Sequence, residues 1–452
     1  MTVSSLTSSS TPPPSTSLSI QEKANELYKN KEILAPMVRA STTPLRTLAL
    51  QYGASLVYTE EIVDRSIIHN CDRVVNHELG TIDYCRSLSS FSKKQRNRLL
   101  RESKVQGNAQ AAAPVLLRIV PKLERGKLIY QMGTGEANLA LQAASIIEPD
   151  FDAVDINMGC PKKFSVSGGM GSALLKDVHR ACDIIKTLRR NLSIPVSCKI
   201  RLLENTSKTI DFVKSLEQAG ANAIAVHARE VGDESTCKAK WERLEPVIHS
   251  VKGQIPTIIN GDLYTRNMMK EVKEMTGADS VMLARPALYN TSIFSNQLLD
   301  KTKVIQDYME HAVRWRINSK NTKYVVCEMM NNRRHPHHLV PKLPQKYPNG
   351  QTISQVCSTS TMEELCQLWD VNMSKILSIN PTHESNKESE SLFSQPTTEH
   401  KYTNDYFLKD ITLKNSQDCE VKDNSSKEMK HDNEFASKEN EYNNKNKRSR
   451  IS

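Results

Sequence analysis

No stretch of 18 or more apolar residues occurs in this chain of 452, so no membrane-spanning helix is expected. The ten cysteines contain no CxxC pair and no Cys/His spacing suited to zinc, which removes the common metal and redox frameworks. Residues Met1–Ser19 are rich in Ser, Thr and Pro but hold no apolar core and no basic residue. A secretory signal needs both features, and a mitochondrial presequence needs arginine, so neither is expected. The expected location is the cytoplasm, with the nucleus as the alternative, where cysteines stay as thiols. Hydrophobic residues make up only 38% of the chain, and they crowd between Ile33 and Ile376.

Lysine and arginine outnumber the acids by ten, with an isoelectric point near 9.0. That balance favours a polyanionic partner, a statement about association and not about fold.

Composition divides the chain. Residues 1–29 read as a disordered leader, with a helix beginning only in the last few residues before Lys31. In residues 30–291 short β-branched apolar runs alternate with amphipathic stretches, and 292–376 turn helical. Residues 377–452 are Ser, Asn, Lys and Glu, a composition that cannot bury a core and is expected to be disordered. Candidate strands are Ile33–Val38, Ser55–Glu60, Leu128–Met132, Ala153–Met158, Val196–Arg201, Ala223–His227, Thr257–Asn260 and Ser280–Ala284. They are apolar runs more than alternations, as strands buried on both faces require. Helical stretches follow at Glu136–Ile147, Ser172–Arg189, Ser207–Gln218, Lys240–Val251 and Thr265–Met275. This predicts an α/β fold, a TIM (β/α)8 barrel followed by a smaller all-α domain with disordered tails; an open doubly wound sheet is the alternative. Residues 83–127 interrupt the count as an elaborated loop, with an exposed basic piece at Ser92–Lys104 and an extra strand at Val115–Val120.

Active sites of such barrels lie at the C-terminal strand ends. Those positions carry Pro36, Met37 and Val38, then Gln131, then Asn157 and Cys160, then Lys199 and Arg201, His227, Asn260, Gly261 and Asp262, and finally Ala284 and Arg285. The set suits a flat flavin. Backbone near Pro36 and Met37 lies against a ring face, Gln131 serves the pyrimidine edge, Lys199 stabilises negative charge on the reduced ring, and the turn at Asn260–Gly261 with Arg285 receives a phosphate. Cys182, Cys198 and Cys327 read as small buried hydrophobes. Cys160 differs, because it follows a strand in a loop whose glycines 168, 169 and 171 permit close backbone approach before a helix near Ser172.

The segment NMGCPKKFSVSGGMGSALL, with APMV, QMGT, CKIR, VHxR, NGD and ARxxxxN in order, resembles the tRNA-dihydrouridine synthases, and among them the eukaryotic class acting on position 20. The resemblance runs from about Ile33 to Trp369 and includes an NTKY box at Asn321–Tyr324. It implies FMN contacts from Pro36, Met37, Val38, Gln131, Lys199, His227, Asn260, Gly261, Asp262, Ala284 and Arg285, with NADPH or NADH as reductant. It implies Cys160 as the acid that protonates C5 of a tRNA uridine, with Asn157 and Arg201 holding the base or serving as a strand-end hydrogen bond and a surface charge. It makes residues 292–376 a tRNA-binding domain.

Two positions depart from the family pattern: Ala228 stands where glycine is usual, restricting the backbone beside His227, and Thr291 stands where proline is usual. No double-stranded-RNA-binding segment is expected after Ile376. RNA contacts would then fall to Arg314, Arg316, Lys320, Lys323, Arg333 and Arg334, and to a basic tail at Lys445–Arg450. His335, His337 and His338 lack partnering ligands, so no metal is expected, and neither is an obligate protein partner. The other readings are an FMN barrel reductase of a small pyrimidine, akin to dihydroorotate dehydrogenase, and a catalytically silent tRNA-binding protein.

Overall fold

The computed structural model describes residues 18–69, 71–97, 114–331, 347 and 350–378. Strands β1 (Glu32–Leu34), β2 (Leu56–Tyr58), β3 (Ile62–Val63), β4 (Cys71–Asn76), β5 (Thr81–Arg86), β6 (Val115–Ile119), β7 (Leu128–Gly133), β8 (Ala153–Asn157), β9 (Val196–Leu202), β10 (Ala223–Glu230), β11 (Thr257–Asn260) and β12 (Ser280–Leu283) form two sheets. In the larger, β1, β2, β7, β8, β9, β10, β11 and β12 pair in parallel, and β12 returns to β1. The eight expected strands therefore close into a TIM barrel, and the open-sheet alternative fails because a doubly wound sheet has two free edges.

Strand periodicity sorts the core. Ile33, Ala35, Leu56, Tyr58, Ile129, Ala153, Ala223, Ala225, Ile258 and Met282 form the barrel interior. Their chain neighbours, among them Leu34, Val57, Tyr130, Val154, Cys198, Ile224 and Ile259, belong to the larger cluster under the helices. Both faces are apolar, hence the continuous runs. Cys198 is one of these outward core residues, in agreement with its reading as a small hydrophobe.

The expected leader differs. Residues 1–17 lie outside the described residues, but Ile20–Tyr28 is a helix whose Ser19 and Glu22 form a reciprocal capping box. Ala24 and Tyr28 join the barrel interior, and the Tyr28 hydroxyl donates to Ser197 Oγ at 3.1 Å. Alanines at 153, 223 and 225 leave the room that this plug fills at the bottom of the barrel. Its first turns are polar and short, so local composition concealed it.

The interruption is also more ordered than a loop, and it starts earlier. β4, β5 and β6 make an antiparallel sheet between β2 and β7. Asp83 on β5 and Arg118 on β6 form a buried double hydrogen bond, each at 2.7 Å. Arg118 also donates to the Trp315 carbonyl, and buried Arg46 pairs with Glu124 at 2.6 Å. Polar residues with partners only in the fold made this sheet read as loop. Of the basic piece, Lys93 and Lys94 are exposed, while residues 98–113 lie outside the described residues.

After the barrel the chain is helical at Lys301–Arg314, Ser319–Met330, Ile353–Ser358, Met362–Leu368 and Met373–Ser378. The NTKY box ties this segment to the loop after β1. Asn321 Nδ2 donates to the Arg39 carbonyl at 2.8 Å, and the Arg39 guanidinium stacks 4.3 Å from the Tyr324 ring centroid. The anticipated basic face is partly consumed, because Arg316 pairs with Glu78 and Lys323 donates to the Thr359 carbonyl. Arg333, Arg334, the histidines at 335, 337 and 338, and the tail from 379 onward lie outside the described residues.

Candidate active site

Strand register sets the mouth. Gln131 pairs with Asp155 and Asp155 with Ser197; Asn157 pairs with Lys199; Arg201 pairs with His227 and His227 with Asn260. These are successive inward positions at the C-terminal ends, where the apolar interior gives way to polar side chains.

Asp155 is fully buried and accepts from Gln131 Nε2 at 2.9 Å and Ser197 Oγ at 2.7 Å. Burial raises its pKa to about 6. One N–H of the Gln131 amide is thus engaged, and its second N–H and its carbonyl make no hydrogen bond to the described residues. Lys199 makes no hydrogen bond to the described residues, and burial, with Arg201 second, lowers its pKa to about 8. His227 is held well below the ordinary imidazole range by burial and then by Lys199, Arg201, Arg229 and Arg285. Arg229 Nη1 lies 3.3 Å from His227 Nε2. Arginine only donates, so Nε2 carries the lone pair and Nδ1 the proton.

Asp262 organises the far side. It accepts from Arg229 Nη2 at 2.6 Å, the Ala239 N–H at 2.9 Å and Arg285 Nη2 at 2.8 Å. Its carboxylate is therefore a clamp for two guanidiniums, and only its backbone is left for a ligand. Gly261, with φ of 129°, would bring an added Cβ to 3.3 Å from both the Ala239 Cβ and the His227 ring. Asn260 Nδ2 donates to the Met282 carbonyl at 2.7 Å, and Ala284 caps the short helix Arg285–Tyr289. In the loop after β1, the Met37 N–H donates to Ser41 Oγ at 3.0 Å, Pro36 precedes it, and Val38 is 48% exposed.

Cys160 stands on a braced loop. Asn157 Oδ1 accepts the Gly159 and Cys160 N–H groups, both at 3.0 Å. Arg201 Nε donates to the Gly159 carbonyl at 2.9 Å and Nη1 to the Glu230 carbonyl at 3.0 Å. Asn157 and Arg201 thus shape the loop, with the Asn157 amide nitrogen turned to Glu61. Gly171, at φ 58°, could not carry a Cβ without meeting the Cys160 carbonyl oxygen at 2.6 Å. The helix expected near Ser172 begins later: Gly171–Lys176 is a 3-10 turn, and Asp177 caps Val178–Asn191 by accepting from the Arg180 N–H at 3.1 Å. Burial and then the Glu61 charge raise the Cys160 pKa to about 11.

Rim residues absent from the sequence reading are Glu61, Asp155 and Arg229. Asp155 and Arg229 share inward parity with Asn157 and His227, and Glu61 follows β2, the strand end left out of the inventory. Ala228 costs nothing visible: its φ is not positive, and β10 continues past it to Glu230 with a register shift. Thr291 replaces proline by a hydroxyl that donates to the Ala287 carbonyl at 3.0 Å.

The residues fit a phosphate-bearing flavin. A half-buried lysine without an internal acceptor, three arginines and an Nδ1–H imidazole surround a mouth whose acids are Glu61, Asp155 and Asp262. Fold and mouth define the class of parallel-barrel proteins with a polar site at the strand C-termini. A family model described as dihydrouridine synthase (Dus) matches residues 86–367, and the chain belongs to that family. It is 35% identical over 311 residues to a Schizosaccharomyces pombe protein named tRNA-dihydrouridine(20) synthase, covering 67% of this chain and 60% of that one. Its identity to the Saccharomyces cerevisiae protein of the same name is 41% over 207 residues, 45% of this chain and 49% of that one. A S. pombe tRNA-dihydrouridine(16/17) synthase is 31% identical over 272 residues, 60% of this chain and 58% of that one. The matched region thus spans between about half and three fifths of these relatives' length.

Proposed function

We propose that this chain reduces the C5–C6 double bond of a D-loop uridine in tRNA, at position 20, with FMN bound at the barrel mouth and NADPH or NADH as reductant. The observation that carries the reading is Cys160: a thiol kept protonated by its surroundings, on a loop braced by Asn157 and Arg201, beside the cation-lined mouth. Position 20 is supported by the names of the relatives at 35% and 41% identity.

A flavin held here supplies hydride to C6. The chain's own residues do the rest. Lys199 and His227 set the charge around the ring, Gln131 offers its carbonyl to the pyrimidine edge, and the Gly261–Asp262 backbone and Arg285 receive the phosphate. Cys160 gives its proton to C5 and is left as a thiolate, so it must start as a thiol. The uridine has to leave the RNA stack, at a cost of a few kcal/mol. Exposed Lys162 and Lys163 beside Cys160, and Lys320 on the helical segment 292–376, are assigned to phosphates, which makes affinity fall with salt.

The test is incubation with FMN, NADPH and unmodified tRNA, followed by nucleoside mass spectrometry, with Cys160→Ala in parallel. Dihydrouridine from the wild type and little from the variant is the expected result. No product from folded, flavin-loaded wild type overturns the reading.

A further inference from the structure

Glu61 lies between β2 and β3 and forms no ion pair among the described residues. One carboxylate oxygen accepts a long hydrogen bond from Ser165 Oγ, at 3.4 Å. The other, Oε2, is buried from solvent without a fully formed hydrogen bond, and the Cys160 thiol and the Asn157 amide are the donors turned toward the carboxylate. Burying a carboxylate in that state costs free energy, and burial accordingly raises the Glu61 pKa. The space around it is tight. A Cβ on Gly133 would stand 2.6 Å from Glu61 Oε1, and one on Gly171 would stand 2.5 Å from Ser165 Oγ and 3.1 Å from the Cys160 Cβ. Ser165, Glu61 and Cys160 are therefore packed into one corner, with glycine required on both sides.

We propose that Glu61 is the positioning carboxylate of Cys160, holding the proton on its Sγ until the substrate takes it. The idea rests on Cys160 as proton donor, and its chemistry is simple. A carboxylate accepts from S–H and repels S⁻, so the thiol form is favoured. Opposing charges face the same sulfur: Lys199 and Arg201 on β9 interact with Cys160 and favour the thiolate. On the Cys160 loop itself, the Lys162 N–H and Ser165 act in the same sense as those cations. Burial alone keeps the Cys160 pKa above its ordinary value, and without Glu61 the two cations would act on the thiol unopposed, so it would ionise at lower pH, and a thiolate has no proton to give. Once the proton has gone to C5, the same carboxylate disfavours the thiolate left behind and draws a new proton to it.

The test uses the full chain without flavin and does not depend on turnover. Wild type, Glu61→Gln and Glu61→Asp are pulsed with iodoacetamide between pH 7 and 11, and the Cys160 peptide is quantified by mass spectrometry. The midpoint of its rate profile is read, not the plateau. Glu61→Gln keeps the shape and loses the charge, and its midpoint is expected about one pH unit or more below wild type, about tenfold faster alkylation at a given pH. Glu61→Asp keeps the charge farther away and is expected to fall between. Buried Cys198 in the same digest reports the fold; if it becomes reactive in Glu61→Gln, the comparison is made on Glu61→Asp alone. Unchanged midpoints in the intact variants overturn the proposal. A shifted midpoint in a protein that makes no dihydrouridine would uphold the Glu61–Cys160 coupling and sink only the synthase reading.

Discussion

Lys199→Met is expected to stabilise the flavin-free protein while weakening its hold on an anion. Lys199 is half-buried at the mouth without a hydrogen-bond partner among the described residues, and its pKa falls from 10.5 to about 8 through desolvation and then Arg201. A depression of about 2.5 units corresponds to about 3 kcal/mol held against folding while the amine is charged. Below pH 8 the folded and unfolded states are both protonated, so the full penalty is present. Between pH 8 and 10.5 the unfolded chain binds the extra proton, and wild-type stability rises with pH through this group. Methionine fills similar space without charge. The variant should therefore be about 1–3 kcal/mol more stable at pH 7, allowing for imperfect repacking, and the gap should close by about pH 10. Thermal unfolding of both proteins without flavin, from pH 6.5 to 10, measures the difference and cancels other titrations. FMN titration by fluorescence quenching should show weaker binding by the variant. A variant no more stable at pH 7, or a gain independent of pH, would refute the argument that Asp155 only partly offsets the desolvation of Lys199.

Asp262→Ala removes the clamp on Arg229 and Arg285 and leaves buried Arg229 unpaired, so a loss of about 3 kcal/mol is expected in thermal unfolding, with FMN affinity at least about tenfold lower. Equal affinity would contradict the clamp. Asp83→Ala strands Arg118 and should cost about 3–5 kcal/mol, whereas Asp83→Ala with Arg118→Met should recover much of it. A double variant as unstable as the single one counts against the charge explanation. Tyr28→Phe loses one buried hydrogen bond to Ser197 and should cost about 1 kcal/mol, read as a lower midpoint with the barrel otherwise intact.

The barrel strands could be read from the chain because a strand buried on both faces is apolar over most of its length, as in Ile33–Ala35 and Ala223–Val226. The rim residues could be read because strand ends are where a barrel carries polar groups. What those groups do could not be read. Asn157, Arg201 and Asp262 look alike as candidate ligand contacts in a sequence, yet the structure uses their side chains to brace the Cys160 loop and to clamp two arginines.

Local composition and periodicity were enough for the barrel strands and the Cys160 loop, and the motifs carried the resemblance to the family; closure of those strands into a barrel needed the pairing of β12 with β1. Only the tertiary structure decided the plug Ile20–Tyr28, the sheet of β4–β6 and the meeting of Ser165 with Glu61. Tyr28 meets Ser197 across 169 positions, Arg118 meets Trp315 across 197, and Ser165 meets Glu61 across 104. A polar residue whose partner lies that far along the chain looks like surface until the fold buries both, and the cost of burying either alone is what makes such pairs specific.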